Sequence, residues 1–93
     1  MMKVFSIFDS QLGIFNNPFM SPTVGGAERA LVDAMRDPQC PYGRHACDYT
    51  LFELGTWDNE SGKYSLHSTP HSVGLLTTYL SRAAQAAPEI ISE

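Results

Sequence analysis

The start of the chain places hydrophobic positions on both faces of an extended segment, which is the pattern of a buried β-strand. Residues 2–8 place apolar groups on both sides of an extended chain, with Val4, Ser6 and Phe8 on one side and Lys3, Phe5 and Ile7 on the other. Because both sides are apolar, this segment is predicted to be a central strand. The stretch over residues 13–22 contains prolines that remove donors from a strand ladder, so we predict a loop with a short, irregular edge strand there.

The pattern then becomes helical, which predicts a helix over residues 24–36. One face of this helix is apolar, and the positions that share it are Ala27, Ala30, Leu31, Ala34 and Met35. Thr23 is a candidate N-terminal cap, and Asp37-Pro38 ends the helix. The small alanines on the apolar face predict that the helix packs closely on a sheet.

The middle of the chain predicts a β-hairpin. Residues 39–46 contain proline and glycine without a period and are interpreted as a loop. Residues 48–57 and 63–68 are predicted to be strands, because the two faces of the first segment, 49/51/53 and 50/52/54, consist mostly of residue types that suit a pleated surface. The turn between them ends in Gly62, which can take a positive φ.

A second helix is predicted after the hairpin. Thr69-Pro70 is expected to end the preceding strand, and Ser72 is a candidate cap for the helix. Its apolar face repeats at helical spacing, and the members are Val73, Leu76, Leu80, Ala83, Ala84 and Ala87. Pro88 ends the helix and leaves a tail over residues 89–93, in which Ile90-Ile91 is a candidate contact with a neighbour.

These elements predict an α+β fold, with a small antiparallel β-sheet, one helix packed on a face of it and an additional C-terminal helix. At 93 residues the chain is expected to form one core. We divide it into an α+β domain over residues 1–74 and a C-terminal helical extension with a tail over residues 75–93, which is expected to pack on the same domain. The small core and the apolar last helix predict a homodimer.

The charge of the chain argues against bulk electrostatic binding to nucleic acid. Its formal net charge is −4 and its isoelectric point is about 5.2, whereas such binding requires clustered lysines and arginines. Only a local basic patch could serve, and its candidates are scattered along the chain: Lys3, Arg29, Arg36, Arg44, Lys63 and Arg82.

Composition and motifs predict a cytoplasmic binding protein without catalytic machinery. No apolar run reaches the roughly 18 residues that a membrane span requires, so no membrane partner is expected. Two cysteines are too few for a disulfide framework, and free thiols are expected. No serine, histidine and aspartate trio, paired acids or nucleotide fingerprint has a diagnostic context. The chain is therefore predicted not to be an enzyme and to need no cofactor.

One segment offers donors that zinc accepts. Cys40, His45 and Cys47 lie within eight residues, and His67 or His71 could supply a fourth ligand by folding nearby. The spacing is not a standard one, so the preferred interpretation is two free thiols in a loop and no metal.

The first helix and two aromatic residues are candidates for nucleic-acid contacts. Gly25-Gly26 at the helix start permits a phosphate contact near Arg29. The alternative is that the two glycines serve only the geometry of the turn into the helix. Arg29 and Arg36 project from nearly the same side of the helix, which is either a phosphate-binding ridge or a solvated face of mixed charge. Tyr42 and Trp57 are expected to be the most exposed aromatic residues and could stack on unpaired bases.

Five strings of the chain together resemble a known family: MKVFSIFDS (2–10), NPFMSP (17–22), DYTLFELGTWD (48–58), GK (62–63) and TPHSVG (69–74). Their order and spacing resemble those of the small nonstructural protein of gokushovirus-type microviruses, phages with circular single-stranded DNA genomes. The resemblance implies a nonstructural phage protein in the host cell cytoplasm. It also implies a protein that binds DNA and helps to turn replication from duplex synthesis towards single-strand production and packaging.

The residues and the resemblance together predict a DNA-binding accessory protein of phage genome replication, with single-stranded phage DNA as its partner. The predicted contacts are made by Arg29, Arg36, Arg44, Lys63, Tyr42 and Trp57. The alternative is a protein–protein adaptor that modulates a phage or host replication protein without touching DNA, which the acidic charge favours. A third hypothesis, a metal-dependent enzyme that uses the cysteine and histidine segment, would require stoichiometric zinc.

Overall fold

An antiparallel sheet of five strands forms the frame of the computed structural model, which describes residues 1–84. Its strands are β1 (Met2–Asp9), β2 (Ile14–Phe15), β3 (Phe19–Ser21), β4 (Tyr49–Asp58) and β5 (Lys63–Leu75). The order across the sheet is β2, β1, β4, β5, and β3 also pairs with β1. The prediction of a central first strand is therefore confirmed.

The edge beside β1 is short and irregular, as predicted for residues 13–22. Two short strands, β2 and β3, pair with the two ends of β1. Asn16 connects them to β1, because its N–H donates to the carbonyl of Ile7 at 2.8 Å and its own carbonyl accepts the hydroxyl of Ser6 at 2.7 Å. These bonds give partners to backbone groups of Asn16, which lies between the two short strands and belongs to neither.

One face of the sheet is covered by a helical layer. It comprises α1 (Val24–Met35), α2 (Pro41–Arg44), a 3₁₀ turn (Ala46–Asp48), a second 3₁₀ turn (Leu76–Tyr79) and α3 (Leu80–Ala84). The side chains between the layers form one core, which includes Phe5, Leu31, Leu51, Leu76 and Tyr79. The predicted α+β fold with a C-terminal helix is confirmed.

Helix α1 begins where the sequence predicts. The hydroxyl of Thr23 accepts the N–H of Gly26 at 2.9 Å, which is an N-terminal cap. A Cβ atom on Gly26 would lie 2.5 Å from the hydroxyl of Ser21, so this glycine lets the helix start close to β3. Close packing, and not a special backbone conformation, is therefore the structural reason for Gly26, whose φ is not positive.

The buried face of α1 includes Ala27, Leu31 and Met35, as predicted, but differs from the predicted face at other positions. Val32 is buried, whereas Ala30 is exposed. The larger side chain turns towards the core, where it contributes more apolar area. Ala30 and Ala34 instead line a cavity of about 300 Å³ beside Phe19 and Tyr42.

The prediction of a loop over residues 39–46 is wrong for residues 41–44, which are helical, and for Ala46, which begins a 3₁₀ turn. Residues Pro41–Arg44 form α2, with Pro41 in the first turn, where its fixed φ suits a helix and its missing N–H costs nothing. Gly43 allows α2 to touch α1, because a Cβ there would lie 2.3 Å from the carbonyl oxygen of Met35. The conformation of this segment depends on the packing of α2 against α1, and the local pattern of apolar residues does not show such packing.

The hairpin between β4 and β5 is confirmed. Gly62 has a φ of 74°, and its N–H donates to the carbonyl of Asp58 at 2.7 Å. Gly55 is needed where the strands approach, because a Cβ on it would lie 2.3 Å from the carbonyl oxygen of Ser65. The length of the second strand differs from the prediction: β5 continues through Thr69-Pro70 to Leu75. It lies at the edge of the sheet, where a proline is tolerated.

The last helix begins later than predicted. Residues 72–75 belong to β5, so Ser72 is not a cap, and the helical segment starts with the 3₁₀ turn at Leu76. Pairing with β4 extends these residues and outweighs their helical periodicity. Of the predicted apolar face, Leu76 is buried and Leu80 is exposed. Ala87 and the tail over residues 89–93 lie outside the described residues.

Candidate functional site

All four arginines of the chain lie on the helical layer, and both lysines lie on the sheet. Arg29 is in α1 and Arg36 is its C-terminal cap, while Arg44 ends α2 and Arg82 lies in α3. Lys3 is in β1 and Lys63 begins β5. The fold thus collects on one layer basic residues that are 53 positions apart in sequence (82 − 29).

Two of the predicted DNA-binding residues, Arg36 and Arg44, meet at a cleft of about 260 Å³. The cleft lies between the C-terminal end of α1, α2 and α3, and Cys40, Leu80 and Ala83 also line it. Arg44 is exposed, and so is Arg29 two turns before the end of α1. The two exposed guanidinium groups are available to an anionic partner.

Arg36 has a structural role that the sequence does not show. Its guanidinium donates to the carbonyl oxygens of Arg82 at 2.9 Å and Ala83 at 3.3 Å, and it lies 3.2 Å from a carboxylate oxygen of Asp33. These contacts join the end of α1 to α3. Arg82 is itself placed over the ring of Tyr79, with 5.7 Å between the guanidinium carbon and the ring centroid.

The helical layer carries acidic residues among its arginines. Glu28, Asp33 and Asp37 lie on α1 or directly after it. The Glu28 carboxylate accepts the hydroxyl of Tyr79 at 2.7 Å. Burial raises the pKa of Tyr79 to about 12, and the bond to Glu28 adds to this shift. The predicted face of mixed charge is therefore present on α1, and Arg29 and Arg44 are exposed cations of the helical layer.

Lys63 and Trp57 lie at the other end of the sheet from this cleft. Lys63 pairs with Asp58 across the hairpin, and Trp57 pairs with Tyr64. Tyr49 is part of the core below the helices, and Trp57 lies eight positions further along β4, which corresponds to about 26 Å in a regular strand. The structure therefore does not place these two predicted residues beside Arg36 and Arg44.

The prediction that Tyr42 and Trp57 are the most exposed aromatic residues is wrong. Both are half-buried, and the Tyr42 hydroxyl accepts a hydrogen bond from the side-chain amide of Asn16 at 2.7 Å. The ring of Tyr42 packs against Tyr49 with centroids 4.9 Å apart. The most exposed aromatic side chains are Tyr64, at 56%, and Phe15, at 42%.

The sheet face away from the helical layer is apolar. Its central rings are Phe8, Phe15 and Phe52, with centroids 4.9 to 6.2 Å apart. Register places Met20 beside Val4 and Leu75 beside Thr50 on the same face. We call this surface the open face and define it by the five side chains Phe8, Phe15, Met20, Phe52 and Leu75. The sequence indicates this apolar face, because residues 2–8 place apolar groups on both sides of the first strand.

A polar cluster lies on the helical side of the sheet, beyond Phe5. Glu53 pairs with Phe5 and His71 across the sheet, so the three share a face. The Glu53 carboxylate lies 2.8 Å from the Nε2 atom of His67 and 3.5 Å from the Nζ atom of Lys3. The bond to His67 and the charge of Lys3 hold the pKa of Glu53 below its usual value, against the opposing effect of partial burial.

The sequence suggested Cys40, His45 and Cys47 as zinc ligands, but the structure brings a different group of donors together. Within residues 1–84, the potential metal-binding group is Glu53, His67 and His71. Cys40 and Cys47 are free thiols, the first half-buried and the second exposed. Both histidines of the cluster were candidates only for the fourth ligand of the cysteine segment, and Glu53 carries no sequence signal because it is one residue of an ordinary strand.

Comparison with known proteins identifies one family. A family model described as Phage ORF5 protein matches residues 2–79, a range that includes the whole sheet, α1 and α2. No curated protein and no solved structure matches the chain. In the part of the chain that the structure describes, no helix is both long and apolar enough to cross a membrane.

Proposed function

We propose that this chain, which belongs to the Phage ORF5 protein family, is a DNA-binding accessory protein of microvirus genome replication that acts on single-stranded DNA in the host cytoplasm. Membership of a phage family supports a role in the phage cycle. The resemblance to the nonstructural proteins of microviruses supports the more specific assignment. The structural observation that carries the proposal is the presence of all four arginines on the helical layer.

The proposed interface is the exposed part of that layer. Arg29 and Arg44 contact phosphates, because their guanidinium groups face solvent. Arg36 positions α3 beside them and lies at the same cleft. A DNA strand long enough to reach the hairpin also contacts Lys63 and Trp57 there. Tyr42 packs against Tyr49 below the helical layer and offers the exposed part of its ring to a base. The acidic residues among the arginines repel phosphates and lower the affinity, and salt weakens the arginine contacts themselves.

Replacing Arg29 and Arg44 together by alanine is expected to weaken binding to single-stranded DNA and to reduce its salt dependence. Loss of two phosphate contacts lowers the slope of log affinity against log salt concentration by about 1.4. Fluorescence anisotropy with a labelled oligonucleotide across a salt series measures both quantities. Arg36 is kept because its replacement would also detach α3.

The matched control replaces the same two arginines by lysine, which keeps the charge. This variant should retain nearly the whole slope. The proposal is wrong if the wild-type protein does not bind DNA at low salt, or if the alanine variant keeps the wild-type affinity and slope.

A second candidate function is a protein–protein adaptor for a phage or host replication protein, and the open face favours it. Phe15 and Leu75 are 42% and 50% exposed there, and a contiguous apolar surface is typical of a protein interface. The strand positions of this face within residues 1–84 carry no lysine or arginine. Such a surface suits an apolar partner better than a phosphate chain. The proposed homodimer would use the same face.

Replacing Phe15 by glutamate is expected to abolish self-association through the open face. Phe15 lies in a short edge strand, so the substitution places a charge in the interface without removing a core side chain. Sedimentation velocity over increasing protein concentration measures the monomer and dimer populations. The control is Leu12→Glu, because Leu12 is 69% exposed in the turn before β2. A wild-type protein that stays monomeric, or a dimer that survives Phe15→Glu, would contradict this interface.

A further inference from the structure

An irregularity in β5 brings two histidines together. Gly55 pairs with Leu66 and Glu53 pairs with His71, so one residue of β4 faces the four residues 67–70 of β5. In a regular strand, residues four apart are separated by about 13 Å. The bulge shortens that separation until the rings of His67 and His71 stack, with centroids 3.8 Å apart and planes within 11°.

The donor atoms of this cluster have the spacing of a metal site. One donor atom each from Glu53, His67 and His71 lie within 4.8 Å of one another. In a tetrahedral zinc site with bonds of 2.0–2.1 Å, neighbouring ligand atoms are about 3.4 Å apart. The 2.8 Å contact between Glu53 and His67 therefore has to lengthen by about half an ångström.

We propose that Glu53, His67 and His71 bind a zinc ion, with a water molecule in the fourth position. Two imidazoles and one carboxylate are a donor set that zinc uses when one coordination position stays open. The side chains of Glu53 and His67 are 15% and 27% exposed, and His71 is exposed, so an ion can reach the cluster from solvent. The zinc would tie the bulge of β5 to β4. This site is independent of the proposed functions.

Lys3 gives the proposal a specific electrostatic feature. Its ammonium contacts one oxygen of Glu53, at 3.5 Å, and His67 contacts the other oxygen. The ammonium therefore leaves the second oxygen available, but its positive charge repels a metal ion bound there. Removing this charge should strengthen zinc binding, whereas it should weaken an ordinary ion pair.

Isothermal titration of the full chain with zinc chloride, in a buffer that does not coordinate zinc, tests the site. One ion per chain is expected to bind. His71→Ala should lower the affinity at least about 100-fold, because loss of even an indirect ligand contact costs 10–100-fold. Lys3→Met should raise the affinity. Circular dichroism checks that each variant is folded, and Glu53→Gln is the second ligand variant.

Two controls separate this cluster from the other zinc-type donors of the chain. His45→Ala removes the histidine outside the cluster, and Cys40→Ser with Cys47→Ser removes both thiols. Both controls should bind zinc as the wild type does, and cobalt substituted for zinc should show no thiolate charge-transfer band. Absence of binding to the wild type would overturn the proposal. So would retention of binding in His71→Ala, loss of binding in the cysteine variant or a Lys3→Met variant that binds no more tightly.

Discussion

Replacing Leu76 by alanine is expected to lower the free energy of unfolding by about 2–5 kcal/mol. Leu76 is fully buried, with 0% of its surface exposed, in the cluster that also contains Phe5 and Leu51. The substitution removes its apolar surface from the core and leaves a cavity that the strands of the sheet cannot readily close. Urea denaturation followed by circular dichroism measures the change.

The adjacent residue provides the control for this prediction. Leu75 is 50% exposed on the open face, so Leu75→Ala should change the free energy of unfolding by no more than about 0.5 kcal/mol. A single cooperative transition in both variants would support the prediction that the C-terminal extension shares a core with residues 1–74. Equal effects of the two substitutions, or a separate transition for the extension, would contradict it.

The free energy of unfolding of the wild-type protein is expected to fall at alkaline pH as Tyr79 ionises. Replacing Tyr79 by phenylalanine should remove this fall. Burial and the bond to Glu28 raise the pKa of Tyr79 from 10.0 to about 12. A group whose pKa is raised by folding stabilises the protein below its unfolded pKa and loses that contribution as the pH rises through the folded pKa. A shift of this size corresponds to about 2–3 kcal/mol.

The measurement compares the two proteins in urea between pH 7 and pH 12.5. At pH 7 the phenylalanine variant should be less stable by about 1–3 kcal/mol, because Glu28 loses its hydrogen-bond partner. The wild type should lose this advantage between pH 10 and pH 12. Parallel stability curves over the whole range would show that the Tyr79 hydroxyl does not titrate as the structure implies.

The side chains that the proposed tests replace lie on different surfaces, which makes the tests separable. The arginines are on the helical layer and the open face is on the opposite side of the sheet. The polar cluster around Glu53 lies on the helical side but beyond Phe5, along the long hairpin. A variant designed for one surface therefore leaves the side chains of the others in place, and DNA binding, self-association and zinc binding can fail independently.

The elements predicted correctly depend on interactions between near neighbours in sequence. Alternation in β1 and β4 defines which side chains share a face, and Thr23 and Gly62 act through their own local backbone. The incorrect predictions share a different cause. The sequence after residue 68 predicts the end of a strand and then a helix, but pairing with β4 keeps the chain extended to Leu75.

The candidate sites show the same division. The sequence identifies every basic residue, but only the fold shows that Arg36 binds the carbonyls of residues 82 and 83 while Arg29 and Arg44 face solvent. Likewise, the two histidines are four apart in a segment that looks irregular. Their stacking beside Glu53 depends on a bulge against β4, which the sequence of β5 does not encode by itself.

The sequence by itself determined the α+β class, the first helix, the central first strand and the hairpin, because each follows from the periodicity of side chains or from one turn residue. Only the tertiary structure decided where the second half of β5 ends, which arginine contacts α3 and which acid meets the histidines. Those features arise from contacts between residues 14 to 47 positions apart, and a linear pattern carries no measure of such distances.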